Sequence, residues 1–382
     1  MYDVLIAGAG PAGAGVAALL AGQGARVLLL EKERFPRYKV CAGAVDGSAA
    51  RALAAMGIDP AAVEEAAPTE LCVTSDGRYP AWYQFERPLA KMTMRADLDA
   101  LIADVAVARG AEFHDGEGVK VARDNGHGIT VQTGRGCYEA RVLVGADGVY
   151  SVVARDFGLN RNPIRYVATE AEIEVDGAAQ ASWAGRVQID ISVWPPGYSW
   201  IFPKRDHLSA GTGVPLRYAR DLKQRFARFQ QRAQLGGGRT LEQHAHMIGF
   251  RRGQEAIAAE RVLLVGDAAG LVDPNTGGGI GPALQSAHLA AATLLPYLKG
   301  ETGSLRSYTV RVDEELGSEL RAARILHNMI LLRLLITGGR ATRHRELWHE
   351  VARVIRGEER YGEWYAHSRL ARWLAWTKAI PL

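Results

Sequence analysis

The hydrophobic pattern at the start of the chain predicts a βαβ unit. Residues 2–8 are a short apolar run that ends in glycine, which is typical of a buried strand. Small residues from 11 to about 23 predict a helix, Gly24 ends it, and residues 26–31 form a second apolar run. A strand, a helix and a strand within about thirty residues form the repeating unit of parallel sheets.

Later segments alternate between helical and strand-like patterns. Helical periodicity covers residues 46–66, 95–109, 216–233, 280–298 and most of 304–356. Strand patterns cover 69–93, then 112–123, 128–133 and 137–144 as a meander, then 165–215 and 261–265. Pro195, Pro196 and Gly197 must form a turn inside the β-rich stretch. The order of elements predicts an α/β protein with a β-rich insertion and a helical C-terminal extension.

Length and composition narrow the class of protein. A chain of 382 residues exceeds what one core supports, and 48% hydrophobic residues are enough for ordered folding. The net charge of +4 is carried by residues 301–382, and it is too small for a typical nucleic-acid binder. Three cysteines without CxxC spacing indicate neither a disulfide framework nor a metal site. No signal peptide is evident, so we expect a cytoplasmic protein.

The C-terminal region allows two interpretations. Its most apolar stretch, residues 325–336, contains His327, Asn328 and Arg333 and is too short and too polar to span a bilayer. One interpretation is an ordinary amphipathic helix packed on the core. The other is a lid or surface that contacts a membrane peripherally and admits an apolar substrate.

A glycine-rich turn joins the first strand to the first helix, and reads Gly8-Ala9-Gly10-Pro11-Ala12-Gly13. Gly8 permits the tight turn, Gly10 lets the backbone approach a pyrophosphate, and Gly13 allows close helix–strand packing. The start of the helix offers unpaired N–H groups to phosphates. Glu31 ends the second strand, where a carboxylate accepts hydrogen bonds from an adenosine ribose and disfavours the 2′-phosphate of NADP. We therefore predict that the turn binds a dinucleotide. The alternative is a glycine-rich turn with a purely structural role.

Two later loops have a similar character. Gly145-Ala146-Asp147-Gly148 follows a predicted strand, and by itself it is as well explained by a structural turn. Gly266-Asp267-Ala268-Ala269-Gly270 also follows a strand, where an acid can bind a sugar-like chain such as the ribityl of a flavin. Gly277, Gly278, Gly279 and Ile280 then open a helix, whose N-terminal dipole suits the flavin edge that becomes anionic on reduction.

These motifs, in this order, resemble the FAD-dependent oxidoreductases of the para-hydroxybenzoate hydroxylase superfamily. No second GxGxxG follows a strand, so a separate nicotinamide-binding domain is not expected. Three further stretches resemble the geranylgeranyl reductase family: FPRYKVCAG from Phe35, YSWIFPK from Tyr198 and GDAAGLVDPNTGGGI from Gly266. The departures are Ala42 and Gly278, where the family has Gly and commonly Glu, and Gly281-Pro282, where aromatic residues are frequent.

The resemblance implies a Rossmann-type FAD-binding domain made of residues 1–70, 94–160 and 255–300. It also implies a β-rich substrate domain of residues 71–93 and 161–254, followed by a helical region, 301–382. Non-covalent FAD, reduced by NAD(P)H or a small redox carrier, would saturate double bonds of a prenyl chain on a lipid, quinone or chlorophyll-type molecule. The predicted cofactor contacts are Gly8, Gly10, Pro11, Ala12, Gly13, Glu31, Lys32, Lys39, Cys41, Ala42, Gly43, Arg95, Val119, Asp147, Gly148, Asp267, Gly278, Gly279 and Ile280.

The predicted catalytic residues are Cys41, Tyr198 and Trp200. An isolated double bond is a poor hydride acceptor, so a proton donor is needed, and the family places the cysteine beside the flavin. Cys41 either donates that proton or only packs there. Tyr198, Trp200 and Phe202 alternate along a strand and so face one side, either lining an apolar substrate tunnel or packing a core.

Two rival functions fit the same fold. An aromatic hydroxylase or a halogenase would activate oxygen, but a halogenase of this superfamily is expected to carry WxWxIP where this chain has YSWIFP. A flavin electron-transfer protein without bond chemistry is the rival from another class.

Overall fold

A seven-stranded sheet carries the N-terminal βαβ unit in the computed structural model, which describes residues 1–253 and 255–367. Its central strands run parallel in the order β8-β2-β1-β11, and β17 continues the parallel arrangement along one half of β11. Antiparallel β10 and β9 pair with the other half. The strands are β1 (Tyr2–Ala7), β2 (Val27–Leu30), β8 (Glu112–His114), β9 (Val121–Asp124), β10 (Ile129–Gln132), β11 (Cys137–Gly145) and β17 (Val262–Leu264).

A second seven-stranded sheet is mostly antiparallel and has the order β16-β12-β15-β14-β13-β5-β6. Its strands are β5 (Glu70–Ser75), β6 (Arg78–Gln84), β12 (Ile164–Glu174), β13 (Arg186–Ser192), β14 (Gly197–Pro203), β15 (Leu208–Pro215) and β16 (Arg239–Phe250). A small third sheet places β7 (Lys91–Thr93) between β3 (Ala44–Val45) and β4 (Glu64–Ala66).

Helices cover the sheets and form most of the C-terminal region. They are α1 (Pro11–Ala21), α2 (Gly47–Ala55), α3 (Arg95–Ala108), α4 (Val152–Phe157), α5 (Gly177–Trp183), α6 (Leu222–Arg232), α7 (Ile280–Leu298), α8 (Ser307–Val312), α9 (Ser318–Ile336), α10 (Arg345–Ile355) and α11 (Tyr361–His367). The predicted α/β fold class is confirmed. Its division into domains stays a prediction, and residues 368–382 of the predicted helical region lie outside the described residues.

Two of the predicted helices are shorter than expected. The helix predicted over 46–66 ends after α2, because Gly57 adopts a φ of +72° and Pro60 disfavours helical backbone just before it. A 3-10 turn at Pro60–Val63 and β4 follow. In the segment 216–233, the first turns, Leu216–Asp221, are a 3-10 helix, and the α-helix begins only at Leu222.

Two strand predictions also need correction. The segment 112–123 is not one strand of a meander but two strands, β8 and β9, at opposite edges of the first sheet. Gly116, with a φ of +62°, and Gly118 break it. The pattern did not predict β16, because this edge strand is exposed along its first seven residues and so shows no apolar alternation.

Three hydrophobic clusters hold these layers together. The largest surrounds the first sheet, α1, α3 and α7. A second joins β5, β6 and β13 to α9 and α10 through residues such as Val73, Leu326, Met329 and Trp348. The third fixes α6 to the other face of the β-rich sheet through Phe226 and Phe229. α9 therefore packs on the core through one face, and among the described residues no helix is long and apolar enough to cross a membrane.

Candidate active site

The glycine-rich turn has the shape that a bound pyrophosphate requires. A Cβ on Gly8 would lie 2.3 Å from the Ala146 carbonyl oxygen, and one on Gly13 would lie 1.9 Å from the Gly8 carbonyl oxygen. At Gly10 the nearest atom to such a Cβ is the Arg37 guanidinium, 3.9 Å away, so the space outside Gly10 is open. Gly10 precedes α1 without a side-chain cap, and Pro11 is its first residue. The free N–H groups of Ala12 and Gly13 therefore face that space.

Glu31 closes the turn from the end of β2. Its carboxylate is 5% exposed and accepts the Ala9 N–H at 3.0 Å and the Glu33 N–H at 3.1 Å. A carboxylate has lone pairs left for a ribose hydroxyl after two such bonds. Lys32 is instead exposed and pairs with Glu33 at 3.9 Å, and Val119 packs against the main core at the neighbouring loop. Lys32 and Val119, both predicted from the sequence to contact the cofactor, thus lie beside the turn, and that contact stays a prediction.

Basic side chains surround Cys41. Arg95 opens α3 and makes two hydrogen bonds to Asp99, at 2.9 and 2.8 Å, while Arg37 lies 3.0 Å from the same carboxylate. The Arg95 guanidinium is also beside the Cys41 thiol. The Lys39 ammonium is 2.7 Å from Nε2 of His246. Burial, with help from Arg95, lowers the pKa of Lys39 to about 8.

The backbone around Cys41 is anchored by buried charges that the sequence did not reveal. The Cys41 N–H donates to Glu170 Oε1 at 2.8 Å. The Lys204 ammonium, 2% exposed, donates to the Ala42 carbonyl at 2.8 Å and to the Thr93 carbonyl at 2.7 Å. Burial and the nearby charge of Glu172 raise the pKa of Glu170 to about 7. No sequence motif identifies Glu170. The signal that the sequence does carry is a pair of acidic residues, Glu170 and Glu172, at alternate positions of a largely apolar strand, which is unusual.

Gly43 brings the cysteine loop against β7. Its φ is +69°, and a Cβ there would lie 1.9 Å from the Thr93 carbonyl oxygen. Its own carbonyl accepts the Thr93 N–H at 2.9 Å. Ala42, where the family has Gly, contributes its carbonyl to Lys204, and any residue type can do that.

The two later loops differ in what their acids do. Asp147 accepts the Ser151 hydroxyl at 2.5 Å and the Val152 N–H at 2.7 Å, so it supports the start of α4, which Ser151 caps, beside the Gly8 turn. Gly148 follows it with a φ of +78°. Asp267 makes no hydrogen bond through its carboxylate among the described residues, and burial raises its pKa, opposed by Lys39 and Arg95. Asp267 is thus free to accept hydrogen bonds from a ligand's hydroxyl groups.

The start of α7 lies next to Asp267. A Cβ on Gly279 would be 3.1 Å from the Asp267 carboxylate, and no side chain caps the helix that begins at Ile280. The Gly278 N–H donates to the Thr276 hydroxyl at 3.1 Å. Asp273 holds this loop, and it also accepts the Tyr361 hydroxyl of α11 at 2.6 Å. Sequence reasoning missed this contact, because nothing in the pattern relates two residues 88 positions apart.

Aromatic side chains of β14 meet this loop. The rings of Tyr198 and Trp200 are 5.5 Å apart, and the Tyr198 hydroxyl is 2.3 Å from where a Cβ on Gly277 would be. Trp200 is 6% exposed and packs over Gly211. Phe202, further along the same face, packs into the cluster under α9, while Ile201 on the opposite face packs toward α6. Both interpretations of the alternating aromatic residues therefore hold in part. Their shared face lines a cavity at Tyr198 and packs into a core at Phe202.

A narrow apolar slot of about 30 Å³ opens beside Tyr198. Its other walls include Tyr166, Ile248, Phe250, Pro274, Gly277 and His327. Burial lowers the pKa of His327 to about 4, so the slot is electrically neutral at this side chain. A slot of this size is far smaller than the pockets that hold extended ligands, so an elongated ligand enters only as these side chains move apart.

Comparisons with known proteins agree with this geometry. Residues 1–312 match the FAD binding domain family. Digeranylgeranylglycerophospholipid reductase 1 of Methanopyrus kandleri is 30% identical over 86% of this chain and 90% of its own. The chain belongs to the geranylgeranyl reductase family of FAD-dependent oxidoreductases. Geranylgeranyl diphosphate reductase of Rhodobacter capsulatus is 27% identical, over 86% of this chain and 84% of the relative.

Solved structures share the fold of this family member. A geranylgeranyl bacteriochlorophyll reductase-like protein from Thermoplasma acidophilum superposes with a TM-score of 0.76 at 20% identity, over 100% of this chain and 96% of that one. A flavin-dependent brominase superposes with a TM-score of 0.75 at 20% identity, over 93% of both chains. A reductase-like protein and a flavin-dependent brominase thus share this architecture, and the fold alone does not separate their activities.

The residues of this geranylgeranyl reductase family member fit FAD. The open space outside Gly10, the uncapped starts of α1 and α7 and the free carboxylate of Asp267 offer donors and acceptors that suit a pyrophosphate, a flavin edge and a ribityl chain. Among the described residues no cluster of three or more His, Cys, Asp and Glu side chains is arranged to hold a metal ion. The enzyme is an FAD-dependent oxidoreductase.

Proposed function

We propose that this protein saturates carbon–carbon double bonds in the isoprenoid chain of a geranylgeranyl or polyprenyl substrate. The observation that carries the proposal is that Tyr198 and the loop before α7 line an apolar slot, with Cys41 near enough to Tyr198 to act on it electrostatically. Two relatives in the family are named as reductases of geranylgeranyl compounds, which supports the same substrate class. An apolar slot beside a flavin site suits a prenyl chain better than a polar aromatic ring.

The cofactor contacts predicted from the sequence become the proposed FAD site. Gly8, Gly10 and Gly13 would hold the pyrophosphate, Glu31 the ribose, Asp267 the ribityl chain and the start of α7 the flavin edge. Bound non-covalently and reduced by NAD(P)H or a small redox carrier, FAD would supply a hydride, which carries both electrons, to one carbon of each double bond. A proton donated to the other carbon would complete the two added hydrogen atoms.

The protein's own part is to place the bond and to move a proton. Tyr198 and Trp200 form the aromatic wall against which the chain lies. Cys41 is held by its N–H on Glu170 and by the basic side chains of Arg95 and Lys39, so its thiol stays at a fixed place beside the flavin site. A thiol at that place can donate a proton to the carbon that would otherwise become a carbanion.

An anaerobic turnover experiment tests the proposal. The photoreduced holoenzyme is mixed with geranylgeranyl diphosphate, with geranylgeraniol and with a prenylated lipid, and flavin absorbance and product mass are followed. We expect flavin reoxidation together with products heavier by two mass units for each bond. Unchanged isoprenoids across this panel, with turnover only when oxygen and an aromatic compound are added, would instead identify a hydroxylase or halogenase. Reversible flavin reduction without any covalent product would identify an electron-transfer protein.

A further inference from the structure

A cleft lined by arginines adjoins the apolar slot. It has a volume of about 430 Å³, and its walls include Arg161, Arg165, Arg217 and Arg252. Ile164 and Tyr166 line both this cleft and the slot, so the two cavities share a wall. The arginines come from three separate parts of the chain: the segment leading into β12, the turn after β15, and the loop after β16. The fold therefore gathers them at one place.

No carboxylate neutralises these four arginines among residues 1–253 and 255–367. Arg161 donates to the Gly158 carbonyl at 2.8 Å, Arg252 donates to the Asn162 carbonyl at 2.9 Å, and Arg217 lies over a tyrosine ring. These contacts orient the guanidinium groups without cancelling their charge. Many other exposed arginines of the chain are paired with acids, as Arg239 is with Glu174 at 2.6 Å. Four uncompensated charges around one cleft repel one another unless an anion joins them.

A fifth arginine connects the cleft to the slot. Arg324 of α9 lines the slot, and its Nε is buried without a hydrogen-bond partner. Arg252 lines the cleft and Arg324 the slot, two cavities that share Ile164 and Tyr166, and the charge of Arg252 contributes, after burial, to lowering the pKa of Arg324. A buried guanidinium N–H without an acceptor is costly, and a phosphate oxygen at the junction would satisfy it.

We propose that the cleft binds the phosphate or diphosphate group of a prenyl substrate whose chain enters the slot toward Tyr198. This inference rests on the proposed function and assigns a place in the fold to the headgroup of its substrate, an isoprenoid phosphate ester. Arg217 and Arg252 hold the headgroup, and Arg324 contacts it at the start of the slot. A neutral quinone or a prenyl alcohol lacks this anchor. The same chemistry serves a free prenyl diphosphate and a phospholipid headgroup.

The test compares substrates that differ only in their headgroup. The holoenzyme and an R217Q/R252Q variant are assayed with geranylgeranyl diphosphate, with geranylgeraniol, and with digeranylgeranylglycerol phosphate in phosphatidylcholine vesicles. We expect the double variant to raise the KM for the diphosphate relative to that for the alcohol by about tenfold or more, since arginine–phosphate contacts are charge-assisted. Inorganic pyrophosphate should inhibit the wild-type enzyme competitively, and less well in the variant.

The control variant is R123Q, because Arg123 is exposed on β9 and makes no ion pair among the described residues. It should leave the KM ratio unchanged, and flavin absorbance reports whether each variant is folded and loaded. Turnover of the vesicle-borne lipid assigns the cleft to a lipid headgroup, and turnover of the diphosphate alone assigns it to the free ester. An unchanged KM ratio in R217Q/R252Q, with geranylgeraniol still reduced, overturns the cleft assignment but leaves the proposed function standing. Reduction of no prenyl substrate at all removes the proposed function itself.

Discussion

Glu170 should make the stability of this protein depend on pH in a defined way. The side chain is 0% exposed on β12, and its neighbour on the same face, Glu172, is 3% exposed. Burial and the Glu172 charge raise the Glu170 pKa from 4.5 to about 7, against the opposing effects of the Cys41 N–H and Lys204. The substitution Glu170→Gln keeps an oxygen that can accept the Cys41 N–H but cannot ionise.

The size of the effect follows from the two pKa values. Below pH 4.5 this carboxyl is protonated in both the folded and the unfolded state, so it costs the fold nothing. As the pH rises from 4.5 through 7, the free energy of unfolding falls, because the folded state has the higher pKa. The full loss is about 3 kcal/mol, because one pKa unit corresponds to about 1.4 kcal/mol. Between pH 5 and pH 8 the variant should therefore gain about 2 to 3 kcal/mol relative to the wild type.

The assay is denaturant unfolding at several pH values with FAD held at a constant saturating concentration. The quantity of interest is the difference in the free energy of unfolding between E170Q and the wild type. E301Q is the control, since Glu301 is exposed and its side chain makes no hydrogen bond or ion pair among the described residues. Parallel curves for E170Q and the wild type from pH 5 to pH 8 would show that Glu170 is already ionised in the fold, and would refute the reasoning.

Three further predictions concern the site. Gly13→Ala places a Cβ 1.9 Å from the Gly8 carbonyl oxygen, so equilibrium dialysis should show at least about a hundredfold weaker FAD binding, and ordinary affinity would contradict the structural role of Gly13. Gly277→Ala, at a φ of +69°, puts a methyl 2.3 Å from the Tyr198 hydroxyl. Turnover should therefore fall at least about tenfold while the flavin spectrum persists, and wild-type turnover would argue against this contact. Cys41→Ser should retain FAD and lower turnover by about a hundredfold or more if the thiol donates the proton, whereas loss of FAD would indicate a packing role.

The local motifs were predictable because each depends on neighbours in the chain. Gly8, Gly10 and Gly13 are set by the geometry of one turn, and Glu31 by the strand that follows one helix later. The same holds for the alternation of Tyr198 and Trp200 along β14. In these cases the spacing in the sequence already determines the spacing in space.

The rest depends on long-range pairing that spacing does not encode. Glu170 meets Cys41 across 129 positions, and Lys204 meets Ala42 across 162. The arginine cleft likewise exists only because β12, β15 and β16 are neighbours in the second sheet, and β16 was itself missed for its polar sequence. Asp147 was assigned to the cofactor from the resemblance. Its carboxylate accepts the Ser151 hydroxyl and the Val152 N–H, and its contact with the cofactor stays a prediction.

The hydrogen bond from Tyr361 to Asp273 affects how the enzyme is assembled during synthesis. The ribosome releases the turn at Gly8 well before α11, so a nascent chain has its pyrophosphate-binding turn long before the loop ahead of α7 has its final support. Flavin that associates early would therefore meet an incomplete binding surface. Tight retention of the cofactor should be a property that the polypeptide acquires only after α11 has emerged and Tyr361 can reach Asp273.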